Sequence, residues 1–136
     1  MKKYIGTKQV EAEPMTMGNA YSKGFLQAGK VPSEAEKDKA GYHVKYKDGY
    51  ESWSPAEPFE EAYKLADTAL DRMMIEGEEL TVKLEKLQAF IGTDKFGSLD
   101  EATKAMLVAQ AKIMTEYQCV LNQRFRSEER RVGKEC

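Results

Sequence analysis

The sequence predicts an α+β protein: a small N-terminal antiparallel β module followed by an αα-hairpin, with surface left over for self-association. Three observations predict it. Alternating aromatic segments flank Asp48-Gly49, apolar residues recur at heptad spacing from Leu70 to Ile91, and a second long segment without Gly or Pro carries two apolar stripes. The expected division is 1–54 for the β module, 55–125 for a helical region with the αα-hairpin at about 69–125, and 126–136 for a tail.

In the β module, Lys8–Glu13 reads as a strand with Val10 and Ala12 on one face, ended by Pro14. Ala20–Gln27 has the composition of one or two helical turns, and Pro32–Ala40 is polar and loop-like. GYHVKY and YESWS then form a hairpin. Asp48-Gly49 suits a two-residue type I′ turn, which pairs Tyr46 with Glu51 and Val44 with Trp53. Tyr42, Val44, Tyr46 and Trp53 then share one face, with His43, Lys45, Lys47 and Tyr50 on the other. A lone hairpin is marginal in water, so the Val10 strand, a helix or another subunit must cover the aromatic face.

Ser54 is the expected N-cap of a helix with Pro55 in its first turn, running through Phe59, Tyr63 and Leu65. The αα-hairpin follows. Leu70, Met73, Gly77, Leu80, Leu84, Leu87 and Ile91 make a heptad seam in which Gly77 would allow close helix approach. GTDKFGS, residues 92–98, breaks it. Ser98 to Glu101 reads as a capping box for a second helix ending near Phe125. One stripe of that helix is Leu99, Ala102, Met106, Ala109, Ile113 and Val120, and another is Leu107, Met114, Tyr117 and Leu121. One partner helix covers one stripe, so the other is expected to meet another element or another subunit. The tail, RSEERRVGKEC, loses apolar periodicity and resembles translated vector read-through. It is expected to be non-native or, at best, disordered; if non-native, Cys136 and most of the terminal arginines carry no function.

Composition narrows the partners. A net charge of -2 with 32% charged residues is an ordinary polar surface, not the basic field that duplex nucleic acid demands. No run of about 18 apolar residues predicts a membrane span. MKKYIGTKQV is charged without an apolar stretch behind it, unlike a signal peptide, and Cys119 and Cys136 make no disulfide framework. A reducing cytoplasm is the expected setting.

Catalytic chemistry finds no residue set. His43 is the one histidine and is expected at the surface, and no zinc or Cys/His constellation exists. Gly92-Thr93-Asp94-Lys95-Phe96-Gly97 mimics the opening of a phosphate loop but lacks the Lys-Ser/Thr ending and a preceding strand. Glu76, Glu78, Glu79, Lys83, Glu85 and Lys86 read as a solvated helix face. The expectation is a non-enzyme without metal or cofactor. Three groups suit a flat anionic ligand: Tyr42, Tyr46, Tyr50 and Trp53 on the hairpin; Phe90, Lys95 and Phe96 at the helix tip; and Arg72 and Arg124 on the helices.

KKYIGT, EPMTMGNAY, GYHVKYKDGYESWSPAEPFEEAY and MMIEGEELTVKLEKLQAFIGTDKF together resemble phage anti-defence proteins of the first Thoeris type, whose hairpin domain is shared with anti-CBASS proteins. The resemblance spans most of residues 2–125. It implies a sponge in the host bacterial cytoplasm that sequesters cyclic ADP-ribose isomers without cleaving them. It also implies uptake of cyclic di- or trinucleotides at separate sites, and assembly as dimers into hexamers. By the same resemblance Phe96, Phe90, Arg72 and Arg124 hold the signal, joined by Lys95, Trp53 and Tyr46 from the groups above. Glu78 departs from the pattern, standing where anti-CBASS relatives carry a phosphate-contacting lysine. A protein–protein adaptor docking on a host factor through Trp53 and the second helix stripe is the alternative.

Overall fold

A computed structural model describes residues 1–134, so Cys136 lies outside the described residues. The fold is α+β, with a three-stranded antiparallel sheet followed by helices. The chain divides into two compact units, Met1–Lys64 and Leu65–Cys136, so α2, which begins at Ala56, belongs to the first.

In the first unit β1 (Glu11–Pro14), β2 (Gly41–Lys45) and β3 (Glu51–Pro55) pair in that order. Pro14 and Pro55 end the two edge strands, where a missing N–H is tolerated. β1 begins at Glu11, not Lys8, because Glu11 pairs with Lys45, the last residue of β2. Beyond it Lys8 has no strand to join, and its ammonium lies 5.2 Å from the Tyr46 ring centroid.

The hairpin register corrects the expected one. The loop has three residues, Lys47 to Gly49: Tyr46 N–H donates to Tyr50 O at 2.8 Å, and Gly49 N–H donates to Tyr46 O at 2.9 Å. Gly49 alone in the loop has positive φ, at 92°, so this is a type I turn closed by a glycine bulge rather than a type I′ turn. Val44 therefore pairs with Ser52 and His43 with Trp53. A one-residue slip moves a side chain across the sheet, so Trp53 shares its face with His43, Glu13 and Glu51.

Both faces are covered within the unit. On one, Phe59 of α2 (Ala56–Ala62) stacks on Tyr42 at 4.2 Å and on Tyr63 at 4.9 Å, and Tyr42 OH donates to Glu60 at 2.8 Å. On the other, Phe25 stacks on His43 at 4.0 Å. His43 is thus a half-buried clamp rather than a surface residue, with Nδ1 3.1 Å from Glu13 and Nε2 3.0 Å from Glu51. The Trp53 indole N–H donates to Met15 O at 2.7 Å, and its ring crosses so close to Gly41 that a Cβ there would run into it. Val44, 1% exposed, is the largest fully buried side chain of the described residues.

Helix boundaries differ from expectation where caps decide them. α1 spans Met17–Ser22, not Ala20–Gln27, because the Thr16 hydroxyl accepts from Asn19 N–H and Gly24 takes a positive φ just beyond. Ser54 stays in β3, so α2 starts behind Pro55 without a side-chain cap and stops at Ala62, short of Leu65.

The second unit is the αα-hairpin: α3 (Ala69–Ile91), a one-turn α4 (Asp94–Gly97) and α5 (Glu101–Lys134). α3 opens with a capping box, in which Thr68 accepts from Asp71 N–H and Asp71 accepts from Thr68 N–H. The heptad seam faces α5, with Leu84 on α3 and Leu121 on α5 both buried. Across the seam Gln118 donates to Thr81 Oγ1 at 2.5 Å, satisfying two half-buried polar groups and fixing the register. Gly77 makes no close approach, since nothing lies within 4 Å of where its Cβ would stand. α5 does not end near Phe125 but runs to Lys134. Extending a formed helix adds a hydrogen bond for each residue ordered, and Glu128 pairs with Arg131 one turn on, so apolar periodicity is not needed there.

Two glycines give opposite outcomes. Gly41→Ala is expected to destabilise the β unit by about 1–3 kcal/mol through overpacking against Trp53. Gly77→Ala is expected to stabilise the hairpin by about 1 kcal/mol through helix propensity. Urea denaturation followed by Trp53 fluorescence and by circular dichroism measures both.

Candidate functional site

The hairpin tip is built by Thr93. Its hydroxyl donates to Phe90 O at 2.6 Å, closing α3, and accepts from Phe96 N–H at 3.3 Å, opening α4. That one side chain sets Phe90 and Phe96 edge to face, centroids 6.1 Å apart and planes at 86°. Both rings are half-buried, while Lys95 between them is exposed. Ser98, expected as the N-cap of α5, instead closes α4, its hydroxyl donating to Lys95 O at 2.7 Å. Asp100 takes the capping role, accepting from Thr103 N–H at 3.0 Å and Thr103 Oγ1 at 2.6 Å. These bonds favour the ionised carboxylate and hold Asp100 below its usual range, the Thr103 hydroxyl most of all.

The arginines sit at the other end of the hairpin. Arg72, exposed in the first turn of α3, reaches back toward the carbonyls of Ala66 and Asp67 at 3.4 and 3.5 Å. Arg124 is exposed on α5 near Glu128. The Glu128 carboxyl is held below its usual range mainly by its hydrogen bond from Arg131, with smaller help from the charge of Arg124. The Thr81–Gln118 register places Arg72 and Arg124 at a similar level. Arg72 and Phe90 stand 18 residues apart on α3, about 27 Å at helical rise. Within one hairpin, therefore, tip and arginines do not line one small-molecule pocket.

The stripe between these ends is bare. Met106, Ile113 and Val120 on α5 are 64%, 62% and 51% exposed, whereas the stripe of Leu107, Met114 and Leu121 turns toward α3. Tyr117, assigned to that inward stripe, is exposed as well, because it stands at the stripe's edge. In the other unit Tyr46 faces Tyr50 across the turn at 5.9 Å, and the polar end of Trp53 is already occupied by Met15. Among the described residues no His/Cys/Asp/Glu group of three or more is arranged to hold a metal ion, and no helix is long and apolar enough to cross a membrane.

Fold and site together define an α+β chain whose αα-hairpin displays an aromatic–cation tip, a bare apolar stripe and two arginines. Residues 67–127 match the Sequestin family model, a span that begins one residue before the Thr68 cap and contains Arg72, Phe90, Lys95, Phe96 and Arg124. No curated protein and no solved structure matches the chain. Thr68-x-x-Asp71 and Thr93 were the missed positioning residues. Both stand in the hydroxyl N-cap pattern, and the first carries the acidic N3 residue that marks a capping box.

Asp100 gives the hairpin an acid dependence. Its folded carboxyl is depressed, so its contribution is present above the ordinary Asp range and is lost as pH falls below about 4. Asp100→Asn is expected to keep the cap and shrink the loss of helicity between neutral pH and pH 3, read by circular dichroism; an unchanged acid transition would contradict this role.

Proposed function

We propose that this protein is a phage anti-defence sponge. It binds cyclic nucleotide immune signals, cyclic ADP-ribose isomers first and cyclic di- or trinucleotides in addition, and removes them from solution without cleaving them. The setting is the host bacterial cytoplasm, and the systems blocked are Thoeris and CBASS immunity. The observation that carries this reading is the Sequestin match over the segment that bears the aromatic tip and both arginines. Rings stack on a purine, and arginine forks or a lysine ammonium bind its phosphates.

The geometry adds a requirement. Tip and arginines lie about 27 Å apart along one hairpin, so a compact ligand that uses both needs two copies. A second hairpin running antiparallel along the bare Met106–Ile113–Val120 stripe would set its tip against the first copy's arginines while burying that stripe. Dimers of this kind, assembled further into hexamers, give pockets walled by more than one subunit. Sequestration works by mass action, so site concentration and affinity must together exceed what the signal receptor needs.

The exposed stripe also favours a second reading, an adaptor that docks on a host protein through it. The readings separate in one series. For the sponge, incubation with a cyclic ADP-ribose isomer depletes the free signal, ligand raises the melting temperature, light scattering at micromolar concentration gives more than a monomer, and heat denaturation returns the signal intact. Arg124→Glu is expected to weaken capture by about tenfold or more, the scale of one charge-assisted phosphate contact. Recovery of an opened product would make the protein an enzyme; no thermal shift with any cyclic nucleotide favours the adaptor.

A further inference from the structure

The β unit carries a cleft of its own. It measures about 1220 Å³ and lies between the extended segment Thr7–Glu11 and the β2–β3 turn at Lys45–Tyr50. Lys8 and Lys47 line it without an ion-pair partner among the described residues, whereas Lys45 alternates with Tyr46 at the end of β2 and stands on the other face of the sheet, opposite Glu11 and Glu51. Of its two carboxylates, Asp48 is engaged in the turn, where its Oδ1 accepts from Tyr50 N–H at 3.0 Å, and Glu11 stands on the Lys45 face, away from the rings. The cleft also has an aromatic wall: Tyr46 and Tyr50 stack, and Tyr50 is 62% exposed. A core role explains neither the open Tyr50 ring nor the two exposed lysines at the same opening, Lys8 over the Tyr46 ring and Lys47 in the turn.

We propose that this cleft is a binding site for a nucleoside phosphate, whose base lies on Tyr50 and whose phosphates meet Lys8 and Lys47. Ammonium groups need an anion of high charge density, and an open tyrosine ring needs a flat partner. One small molecule supplies both. A nucleic-acid strand is disfavoured by the overall charge of -2, which does not supply the basic field that strand binding draws on. The site stands on the β unit alone and is independent of the signal-binding reading of the hairpin.

The test is an amide chemical-shift titration of the full chain with ADP, with adenosine, inorganic phosphate and a hexadeoxyadenylate strand as comparators. ADP is expected to shift residues 7–11 and 45–50. Lys8→Glu and Lys47→Glu each weaken it about tenfold, and Tyr50→Leu weakens ADP while sparing phosphate. All three side chains are exposed, so preserved amide dispersion shows that each variant is folded. Shifts confined to the hairpin, no shifts, or adenosine or phosphate binding as tightly as ADP would overturn the proposal. So would a strand that binds these residues more than about tenfold tighter than ADP.

Discussion

A 34-residue helix laid against one 23-residue neighbour hides only one side of itself. α5 was given apolar residues on two sides. Leu107, Met114 and Leu121 meet α3, and Met106, Ile113 and Val120 meet water. Burying a large apolar side chain is worth about 1.5–3 kcal/mol, so three on one stripe are a substantial drive toward association, set against the entropy lost on docking. The same constraint governs the ligand groups. Because the hairpin is a straight antiparallel pair in register at Thr81–Gln118, its aromatic end and its arginine end are held apart rather than folded together. Under the proposed function, self-association and ligand capture become one problem with one geometry.

The parts of the fold that were legible in the sequence were those governed by periodicity. The Leu70–Ile91 seam repeats at heptad spacing, and α3 ends on the same Ile91. The parts that were not legible turn on a single residue of local geometry. Asp48-Gly49 serves a two-residue type I′ loop and a three-residue loop with a glycine bulge equally well by composition; the difference is whether Asp48 also takes positive φ, and it does not. That one residue carried Trp53 to the face of His43. The cap of α5 was misplaced by two residues for a related reason: Ser98 and Asp100 are both good N-caps, and the extra turn of α4 absorbed the first.

The candidate site was legible as residue types and not as an arrangement. Phe90, Lys95 and Phe96 do gather at one end, because a nine-residue link must turn the chain there. Arg72 and Arg124 gather at the other because antiparallel helices return the chain to its starting level. Trp53, grouped with Tyr46 as an aromatic platform, is instead fastened by Met15 and Gly41, while Tyr46 faces Tyr50 over the cleft. Aromatic residues two apart in a strand share a face, but a bulge between strands reassigns their neighbours.

Trp53 is the chain's single tryptophan, and its indole is held inside the β unit by a carbonyl acceptor. Native fluorescence of the intact protein is therefore a spectroscopic channel private to that unit. The hairpin has no tryptophan and displays Tyr117 on its surface, so its optical signature is helical ellipticity. Two wavelengths on one unlabelled sample thus distinguish an event in the sheet from an event in the helices, without cutting the chain.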